Sequence, residues 1–525
     1  MQETNSNNPR REKSFHRYAY TLFSTVCKAA LGVITSIVVP RALGPTGIGT
    51  IAFGQIIVQN VKGLFDFNIS QTFFNLSVEK RQSGSITRLF LKILSVQFIL
   101  TVIVWIILGI TKMGNQIIQG SPLLLLLILL VLEWSIYAVN LSNQLGDSKG
   151  ISKWPQIATL VANLFMTIVI VILAILHKLT IWSYIVTMLI FSFLNLASIT
   201  TYLLRTNYDL VWTNYGKEKL KSSLRSIMKI SLPLTIAGYY GMGIEFFERF
   251  LIQYQYGAEE QAYFHIASRW AALIILFSTS SLQIFWQHLI ETISAGNLKG
   301  AENIYLRLDG VLFYFTLCLA LIWSSVGQDV LTLLLGGDFM GAGAILTIMA
   351  FYPVAQVFGQ LGNTIAIASG RTKELLILYM ITSTVGLVVS YFILVPKTAL
   401  VPGLGLGGIG LGIKTAIFGV LMVQPLTFAN CRYLSISYSR LILSKLKIFM
   451  SLIIITSVLY LIGKIWVHHV PALVESSVRA ILFLIAAITL LLKNPEFCGI
   501  YPEDLERLKN NFIPYPLREM FRLKP

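Results

Sequence analysis

The chain has 525 residues, of which 55% are hydrophobic and only 12% are charged, and its mean hydropathy is +0.71. Soluble domains carry about 25% charged residues, and a soluble chain this apolar could not cover its own surface. The composition therefore excludes a soluble globular protein and indicates a membrane protein. Four scattered cysteines without a C-x-x-C pair indicate neither a disulfide framework nor a zinc site; they are Cys27, Cys318, Cys431 and Cys498.

Apolar runs of the length that a bilayer requires, about 20 residues, recur along the whole chain. The first begins near Tyr18 and ends at Pro40 without a small-x-small cleavage site, which favours a membrane helix over a removable signal peptide. The pattern predicts an all-α polytopic membrane protein with about fourteen transmembrane helices, or twelve or thirteen if weak runs near 48, 401 and 473 are discounted. The runs begin near residues 18, 48, 89, 121, 154, 181, 228, 262, 308, 342, 374, 401, 446 and 473.

The positions of the lysines and arginines predict the orientation. With the N-terminus in the cytoplasm and fourteen spans, 30 of the 41 basic residues fall in cytoplasmic segments, 5 lie on the opposite side and 6 lie within spans. Cytoplasmic loops of membrane proteins carry such an excess. Both termini are therefore expected in the cytoplasm, and the net charge of +17 is explained without a nucleic-acid partner.

The longest interior cytoplasmic segment follows the sixth span and divides the chain into two halves. The predicted organisation is a cytoplasmic N-terminus at 1–17, an N-terminal six-helix lobe at 18–204, a cytoplasmic inter-lobe linker at 205–227, a C-terminal six-helix lobe at 228–430, two additional transmembrane helices at 431–492 and a basic cytoplasmic tail at 493–525.

Weak internal similarity favours two lobes related by pseudo-two-fold symmetry. A glycine-containing break follows the first span of each lobe, at Gly44 and Gly257, and a G-x-x-K sequence precedes the fifth span of each, at Gly146 and Gly370. Because six spans return the chain to its starting side, such units are parallel repeats about an axis normal to the membrane.

Charged residues within the spans are the candidate functional residues, because an ionisable group in the hydrocarbon core is costly unless it faces a cavity or a partner. Lys62 and Asp66 are four residues apart, as are Glu245 and Arg249, so each pair can share one helix face. The cations suit an anionic substrate. The substrate-binding candidates are Lys28, Lys62, Arg249 and Arg269, and the ion-coupling candidates are Asp66, Glu133, Glu245 and Glu248.

Two interpretations of these charges stay open at this point. The spans that carry most of them, the first two of each lobe, are expected to meet around a central cationic cavity. Alternatively, the pairs only hold helices together. Glu133 stands alone in the fourth span, where either ion coupling or a hydrogen bond to a neighbouring helix is expected. Lys414 and Arg479 are interpreted as packing or snorkelling groups.

No enzyme signature is present. The sequence contains no G-x-S-x-G, no H-E-x-x-H and no aspartate-rich lipid-phosphate motif. We therefore predict no catalytic residue, no cofactor and no metal site. The glycine-rich stretch from Gly403 to Gly412 lacks the lysine of a phosphate-binding loop and is predicted to allow close helix packing or to act as a hinge.

Several short motifs occur in a characteristic order along residues 18–430. The stretch from Pro40 to Gly49 reads as "P-R-x-L-G-P-x-x-x-G" after the first span. Weaker motifs are Phe65-Asp66-Phe67-Asn68-Ile69, Ser231-Leu232-Pro233, Phe247-Glu248-Arg249-Phe250, Tyr263 to Arg269, Gly336-Gly337-Asp338-Phe339, and Ala368-Ser369-Gly370-Arg371-Thr372-Lys373. In this order they resemble the motifs of Wzx-type polysaccharide and O-antigen flippases of the multidrug/oligosaccharidyl-lipid/polysaccharide (MOP) exporter superfamily, with Asn68 where glycine is usual and Glu248 where aspartate is common.

The resemblance implies two six-helix lobes plus two extra helices in a bacterial inner membrane, working by alternating access. The implied cargo is an undecaprenyl-diphosphate-linked oligosaccharide, and the implied partners are membrane lipids and polysaccharide polymerase or chain-length proteins. By position, Lys28, Lys62 and Arg269 correspond to basic residues that such flippases use, with Arg249 as a nearby addition. The alternatives are a cation-coupled multidrug exporter of the same superfamily, a peptidoglycan lipid-precursor flippase and, from another class, a membrane-embedded glycosyl- or acyltransferase.

Overall fold

The computed structural model describes residues 14–66, 84–111, 122–149, 153–205, 217–466 and 472–495, and in these ranges the chain is helical apart from short connections. The α-helices are α1 (Ser14–Gly63), α2 (Gly84–Ile110), α3 (Leu123–Lys149), α4 (Lys153–Ile175), α5 (Ile181–Arg205), α6 (Lys217–Ser294), α7 (Leu298–Leu335), α8 (Met340–Met349), α9 (Tyr352–Ala368), α10 (Thr372–Leu394), α11 (Gly407–Ile413), α12 (Gly419–Tyr433), α13 (Tyr438–Trp466) and α14 (Ala472–Lys493). A 3₁₀ turn (Gly337–Phe339) precedes α8, and a π-helical turn (Lys414–Phe418) joins α11 to α12.

Two of these helices, α1 and α6, each contain two segments separated by one non-helical glycine. Gly44 has φ 68° and ψ 175°, and Gly257 has φ 83° and ψ −174°. Only glycine adopts this conformation readily. The two breaks follow the first span of each predicted lobe, and their shared backbone geometry supports the internal repeat that the sequence indicates.

The two breaks also touch each other within the first compact unit of the chain. Gly49 packs so tightly on the backbone of Ala258 that an added Cβ would overlap its carbonyl oxygen. Thr46 Oγ1 donates to Glu259 Oε1 at 3.5 Å. A glycine is therefore required at position 49 for close approach, independently of its backbone angles.

Separating α1 and α6 at these glycines, and joining α8 with α9 and α11 with α12, gives fourteen helical segments in the described chain, as predicted. By length and hydropathy alone, ten described helices can cross a membrane, or eleven with the pair Gly337–Met349 and Tyr352–Ala368, which is bent by 44°. In that number α1 is counted once, and α6 is not included.

Helix boundaries differ from the apolar runs for two physical reasons. The helix α7 begins at Leu298 and α13 at Tyr438, about two to three turns before the runs at 308 and 446, because a helix continues past the hydrocarbon region where polar residues are tolerated. The twelfth segment begins at Gly407 rather than near 401, because the chain before it is non-helical and Gly405 has a φ of 66°. Gly410 then packs on Ile393, as close helix packing requires.

The chain forms two compact units, Met1–Ala262 and Tyr263–Pro525. In the first, the fully buried Phe53, Trp105, Leu129 and Ile185 join the second segment of α1 to α2, α3 and α5. In the second, two clusters of buried residues join α7 to α9, α12, α13 and α14. Many large apolar side chains are instead exposed, as expected for helices that face lipid; Ile110, for example, is 79% exposed.

Some predicted features lie outside the described residues. They are the N-terminal residues 1–13, the motif residues Phe67, Asn68 and Ile69, the part of the linker at 206–216, Cys498 and the tail from 496 to 525. The predicted lobe boundaries remain predictions.

We expect Gly44→Ala and Gly257→Ala each to lower stability by about 1–3 kcal/mol, because a Cβ strains this backbone conformation. No atom lies within 4 Å of the Cβ at either position, so the effect isolates backbone strain from crowding. The measurement is thermal unfolding of the purified protein in detergent.

The matched controls are Gly32→Ala in α1 and Gly238→Ala in α6, which are helical and equally uncrowded. Alanine favours a helix over glycine by about 1 kcal/mol, so the controls should be unchanged or more stable. Equal stability of all four variants would show that neither break depends on glycine.

Candidate functional site

Five of the charged or polar side chains of the first unit meet where the end of α1 packs on α3. Lys62 Nζ lies 4.0 Å from Glu133 Oε2 and 4.5 Å from the ring centroid of Tyr137. Gln59 Nε2 donates to Glu133 Oε1 at 3.1 Å, and the Tyr137 hydroxyl donates to Asp66 Oδ1 at 2.7 Å. We call these five residues the Lys62 cluster.

Helix periodicity produces this arrangement. Gln59 and Lys62 are three apart on α1, and Glu133 and Tyr137 are four apart on α3, so each pair lies on one face and the faces meet. The apolar core beside them holds the helices together. Trp134 also packs edge-on against Tyr137, with ring centroids 5.6 Å apart.

The ion pair of the cluster is largely shielded from solvent, whereas Gln59 is exposed. The Lys62 and Glu133 side chains are only 16% and 11% exposed. A charge in such a setting is stabilised by a nearby opposite charge and by hydrogen bonds, and the loss of one partner leaves the other poorly solvated. Glu133 has both kinds of partner, and Lys62 has the carboxylate and the face of an aromatic ring.

The structure confirms one expectation and corrects another. Glu133 accepts a hydrogen bond from Gln59 on a neighbouring helix, which is one of the two alternatives expected for it. Lys62 and Asp66, in contrast, do not share a helix face, because α1 ends at Gly63 and the next three residues form a turn; the Asp66 amide donates to the Gly63 carbonyl at 3.1 Å. The spacing rule failed because it assumed that the helix continued.

Lys28 contacts a different helix. Its Nζ donates to Gln156 Oε1 at 3.1 Å, and Ser24 Oγ donates to the backbone carbonyl of the same glutamine at 3.2 Å. Gln156 is 8% exposed and lies in the first turn of α4. Sequence reasoning missed Gln156, as it missed Gln59 and Tyr137, because it searched the spans for charges and not for neutral polar side chains.

The candidates of α6 divide into two groups. Glu248 and Arg249 are buried, at 7% and 9% exposure. Glu245 is exposed and takes part in no ion pair within the part of the chain that is described, so its predicted pairing with Arg249 is not formed. Arg269 is also exposed and belongs to the second unit. The meeting of all four cations in one cavity remains a prediction.

The arginine of the G-R-T-K motif has a structural role. Arg371 Nη2 donates to Asn430 Oδ1 at 2.6 Å, and its guanidinium lies 4.4 Å from the ring centroid of Tyr433. Asn430 is fully buried and donates in turn to the carbonyl of Gly362 at 3.0 Å. The motif thereby links the start of α10 to the ends of α9 and α12.

No group of three or more His, Cys, Asp or Glu residues that could hold a metal ion occurs in the described part of the chain. The Lys62 cluster has two carboxylates, a lysine, an amide and a phenol. Chemically, it can bind and release a proton or small cation at the carboxylates, or present the lysine to an anion.

We expect Lys62→Met and Glu133→Gln to be energetically coupled by about 1 kcal/mol or more, since contacting groups in one polar network couple by about 0.5–3 kcal/mol. Thermal or denaturant unfolding of the two single variants and the double variant measures this. As a control, Arg371→Met with Glu374→Gln probes a pair 3.2 Å apart in which Glu374 is 47% exposed, and its coupling should stay below about 0.5 kcal/mol. Additive effects of the Lys62 and Glu133 changes would contradict an ion pair.

No protein-family model and no curated protein matches the sequence. Solved structures do match. The lipid II flippase MurJ in an inward closed conformation aligns with a TM-score of 0.64 and 17% identity, covering 92% of this chain and 99% of that chain.

Two further structures are similar. An inward-facing MATE family multidrug resistance transporter of the MOP superfamily aligns with a TM-score of 0.58 and 16% identity, covering 81% of this chain and 98% of that one. A MOP superfamily transporter from Pyrococcus furiosus, described by the reverse polarity of its binding pocket, aligns with a TM-score of 0.50 and 15% identity, covering 79% and 94% of the two chains. All three are transporters or flippases rather than enzymes. The chain therefore has the fold of the MOP superfamily of membrane transporters.

Proposed function

We propose that this protein is a membrane transporter that flips a polyprenyl-diphosphate-linked oligosaccharide, of the undecaprenyl diphosphate type, from the cytoplasmic to the outer leaflet of a bacterial inner membrane. It would act by alternating access in the synthesis of a surface polysaccharide. The observation that carries the proposal is the set of basic side chains held inside membrane helices: Lys28, Lys62 and Arg249, none of them fully exposed.

Burying cations in this way has a physical cost that a structural role explains poorly. An ion pair inside a protein is often no more stabilising than an apolar pair of the same size. Cations within spans therefore mark functional positions by default. A diphosphate carries the charge that they require, and the planar fork of Arg249 suits phosphate oxygens.

The extent of the structural similarity supports a lipid-linked cargo. The MATE transporter aligns over nearly its whole length and still leaves about a fifth of this chain unmatched. MurJ, named as a lipid II flippase, aligns over 92% of this chain and 99% of its own. The protein thus resembles a lipid flippase over more of its length than it resembles a drug exporter.

The Lys62 cluster offers a route for ion coupling. While Glu133 is ionised, its carboxylate neutralises Lys62 at 4.0 Å. Protonation of Glu133, or its occupation by Na⁺, would leave the lysine charge available to a phosphate. Asp66, Glu245 and Glu248 are further coupling candidates. Glu133 is the first of the four to test, because it lies beside the candidate cation Lys62.

Two alternatives have specific support. The similarity to the MATE transporter favours a cation-coupled multidrug exporter, and that to MurJ favours a flippase for a peptidoglycan lipid precursor.

For the proposed polysaccharide flippase, the expected partner is a polysaccharide polymerase or chain-length protein. Both termini of the flippase are expected in the cytoplasm.

Deletion of the gene is expected to abolish a surface polysaccharide, and Lys62→Ala or Arg269→Ala is expected to prevent complementation without loss of the protein. The physical reason is the loss of a cation that binds the diphosphate. Immunoblotting of membranes and polysaccharide gels provide the measurements. Lys178→Ala, which alters an exposed lysine between α4 and α5, is the matched control and should complement fully.

Other phenotypes of the deletion strain would point to the alternatives. Drug sensitivity with normal polysaccharide would favour the exporter, and accumulation of a peptidoglycan precursor with cell lysis would favour the precursor flippase. Normal polysaccharide from both alanine variants would overturn the role of these cations in cargo binding.

Glu133→Gln is expected to reduce gradient-driven flipping at least tenfold while leaving the protein folded. Glutamine still accepts the hydrogen bond from Gln59 but cannot exchange a proton or cation. Flipping in proteoliposomes, with and without an imposed ion gradient, measures the effect. Tyr137→Phe removes the contact with Asp66 and keeps the ring beside Lys62. It is the control that shows whether any change in the cluster reduces gradient-driven flipping. Gradient-dependent transport by Glu133→Gln at the wild-type rate would exclude Glu133 as the coupling group.

A further inference from the structure

A second charged site lies in the second unit, away from the candidates above. A cavity of 840 Å³ opens between the first turns of α7, the first turns of α13 and the end of α14. The predicted topology puts these helix ends on the cytoplasmic side. The helices α13 and α14 are the two that lie outside the predicted six-helix lobes.

The cavity wall carries an excess of positive charge. Its basic side chains are those of Arg440, Lys445, Lys447 and Lys493, against the two carboxylates of Glu302 and Asp309.

Two of these six charges, those of Asp309 and Lys445, neutralise each other. Asp309 is 1% exposed, and Lys445 Nζ lies 2.9 Å from its carboxylate and 3.7 Å from the ring centroid of Phe358. This buried pair joins α13 to α7 and lines the cavity. It contributes no net charge.

The other three cations are available to a ligand. Arg440, Lys447 and Lys493 are exposed and form no ion pair with any residue that the structure describes. Ile436 and Ser437, just before α13, also line the wall, so the amino end of that 29-residue helix faces the cavity. Helix amino ends favour anions.

The remainder of the wall is apolar and continuous with a lipid-facing surface. Leu306, Leu441 and Ile448 line the cavity together with Leu443, which is 52% exposed. From Leu443 the exposed apolar face of α13 continues through Leu446, Met450 and Ile454, which are 51%, 49% and 57% exposed. A soluble phosphate would leave this surface unused, whereas a molecule with a phosphate head and hydrocarbon chains would cover it.

We propose that this cavity binds the phosphate headgroup of an anionic membrane lipid from the leaflet on the predicted cytoplasmic side, with its acyl chains along α13. Arg440, Lys447 and Lys493 bind the phosphate, and the Asp309–Lys445 pair holds the site open. The inference does not depend on the cargo, because none of these residues is a candidate for cargo binding.

The test is native mass spectrometry of the full-length protein in detergent with added phosphatidylglycerol or phosphatidylcholine. The wild type should retain phosphatidylglycerol preferentially. A triple variant, Arg440→Gln with Lys447→Gln and Lys493→Gln, should retain at least tenfold less, since each basic residue removed lowers the attraction for an anionic lipid. All three side chains are exposed, and thermal unfolding checks that the variant is folded.

The control triple variant carries the same change of charge on the same predicted side: Arg205→Gln with Lys92→Gln and Lys373→Gln, all exposed. It should retain phosphatidylglycerol like the wild type. Lys493→Glu alone, a smaller perturbation of the fold, should lower retention several-fold.

Four results would overturn the proposal. Equal losses in both triple variants would indicate general attraction to the surface, and no loss in the first would exclude the site. Displacement of the lipid by glycerol 3-phosphate at equal concentration would show that a soluble phosphate is the ligand. Displacement of phosphatidylglycerol by an equimolar amount of undecaprenyl diphosphate would assign the cavity to the cargo. That result would overturn the proposed lipid site but not the proposed function.

Discussion

An ionised side chain between membrane helices must find its compensation within the protein, because lipid supplies neither hydrogen bonds nor counter-charge. Lys62 finds it in Glu133 and in the face of Tyr137. The pair lies where the end of α1 meets the middle of α3, beside the buried residues around Trp105 and Leu129 that hold these helices together. The position of the candidate cations, and hence the chemistry open to the protein, depends on that local compensation.

Charged side chains between helices of the second unit are compensated in other ways. Asp309 and Lys445 form a short buried ion pair that joins α7 to α13. Arg371 pairs with the exposed Glu374 and also uses a neutral acceptor and an aromatic ring. The glycine at 362 lets α9 and α12 approach closely enough to position that acceptor, Asn430. Pairing, aromatic contact and small residues are thus three ways of placing polar groups where lipid cannot help.

Much of the fold follows from the sequence, and the reasons are physical. Bilayer thickness sets a minimum length for each span, so counting apolar runs predicts fourteen segments. The glycine-containing breaks at Gly44 and Gly257 predict equivalent joints, and the two backbones agree in φ and ψ. Helix ends are less accurately predicted, since hydropathy marks the hydrocarbon region and α7 and α13 extend beyond it.

The candidate site was only partly predictable. A charged residue is conspicuous within an apolar run, so Lys28, Lys62 and Glu133 can be found from the sequence. Their partners on other helices, Gln59, Tyr137 and Gln156, are neutral and ordinary in composition, and only tertiary packing selects them. The prediction that Lys62 and Asp66 share a helix face is wrong because the helix stops at Gly63. Asp66 lies beyond that end and therefore does not continue the face that carries Lys62.

Tyr137 contacts both charges that border the end of α1: its ring faces Lys62 and its hydroxyl binds Asp66. Because a single rigid side chain makes both contacts, a displacement of α3 relative to α1 disturbs both together. The junction is therefore expected to behave cooperatively, with few intermediate arrangements between intact and broken. For the alternating access proposed above, a junction of this kind would favour discrete states over a continuum.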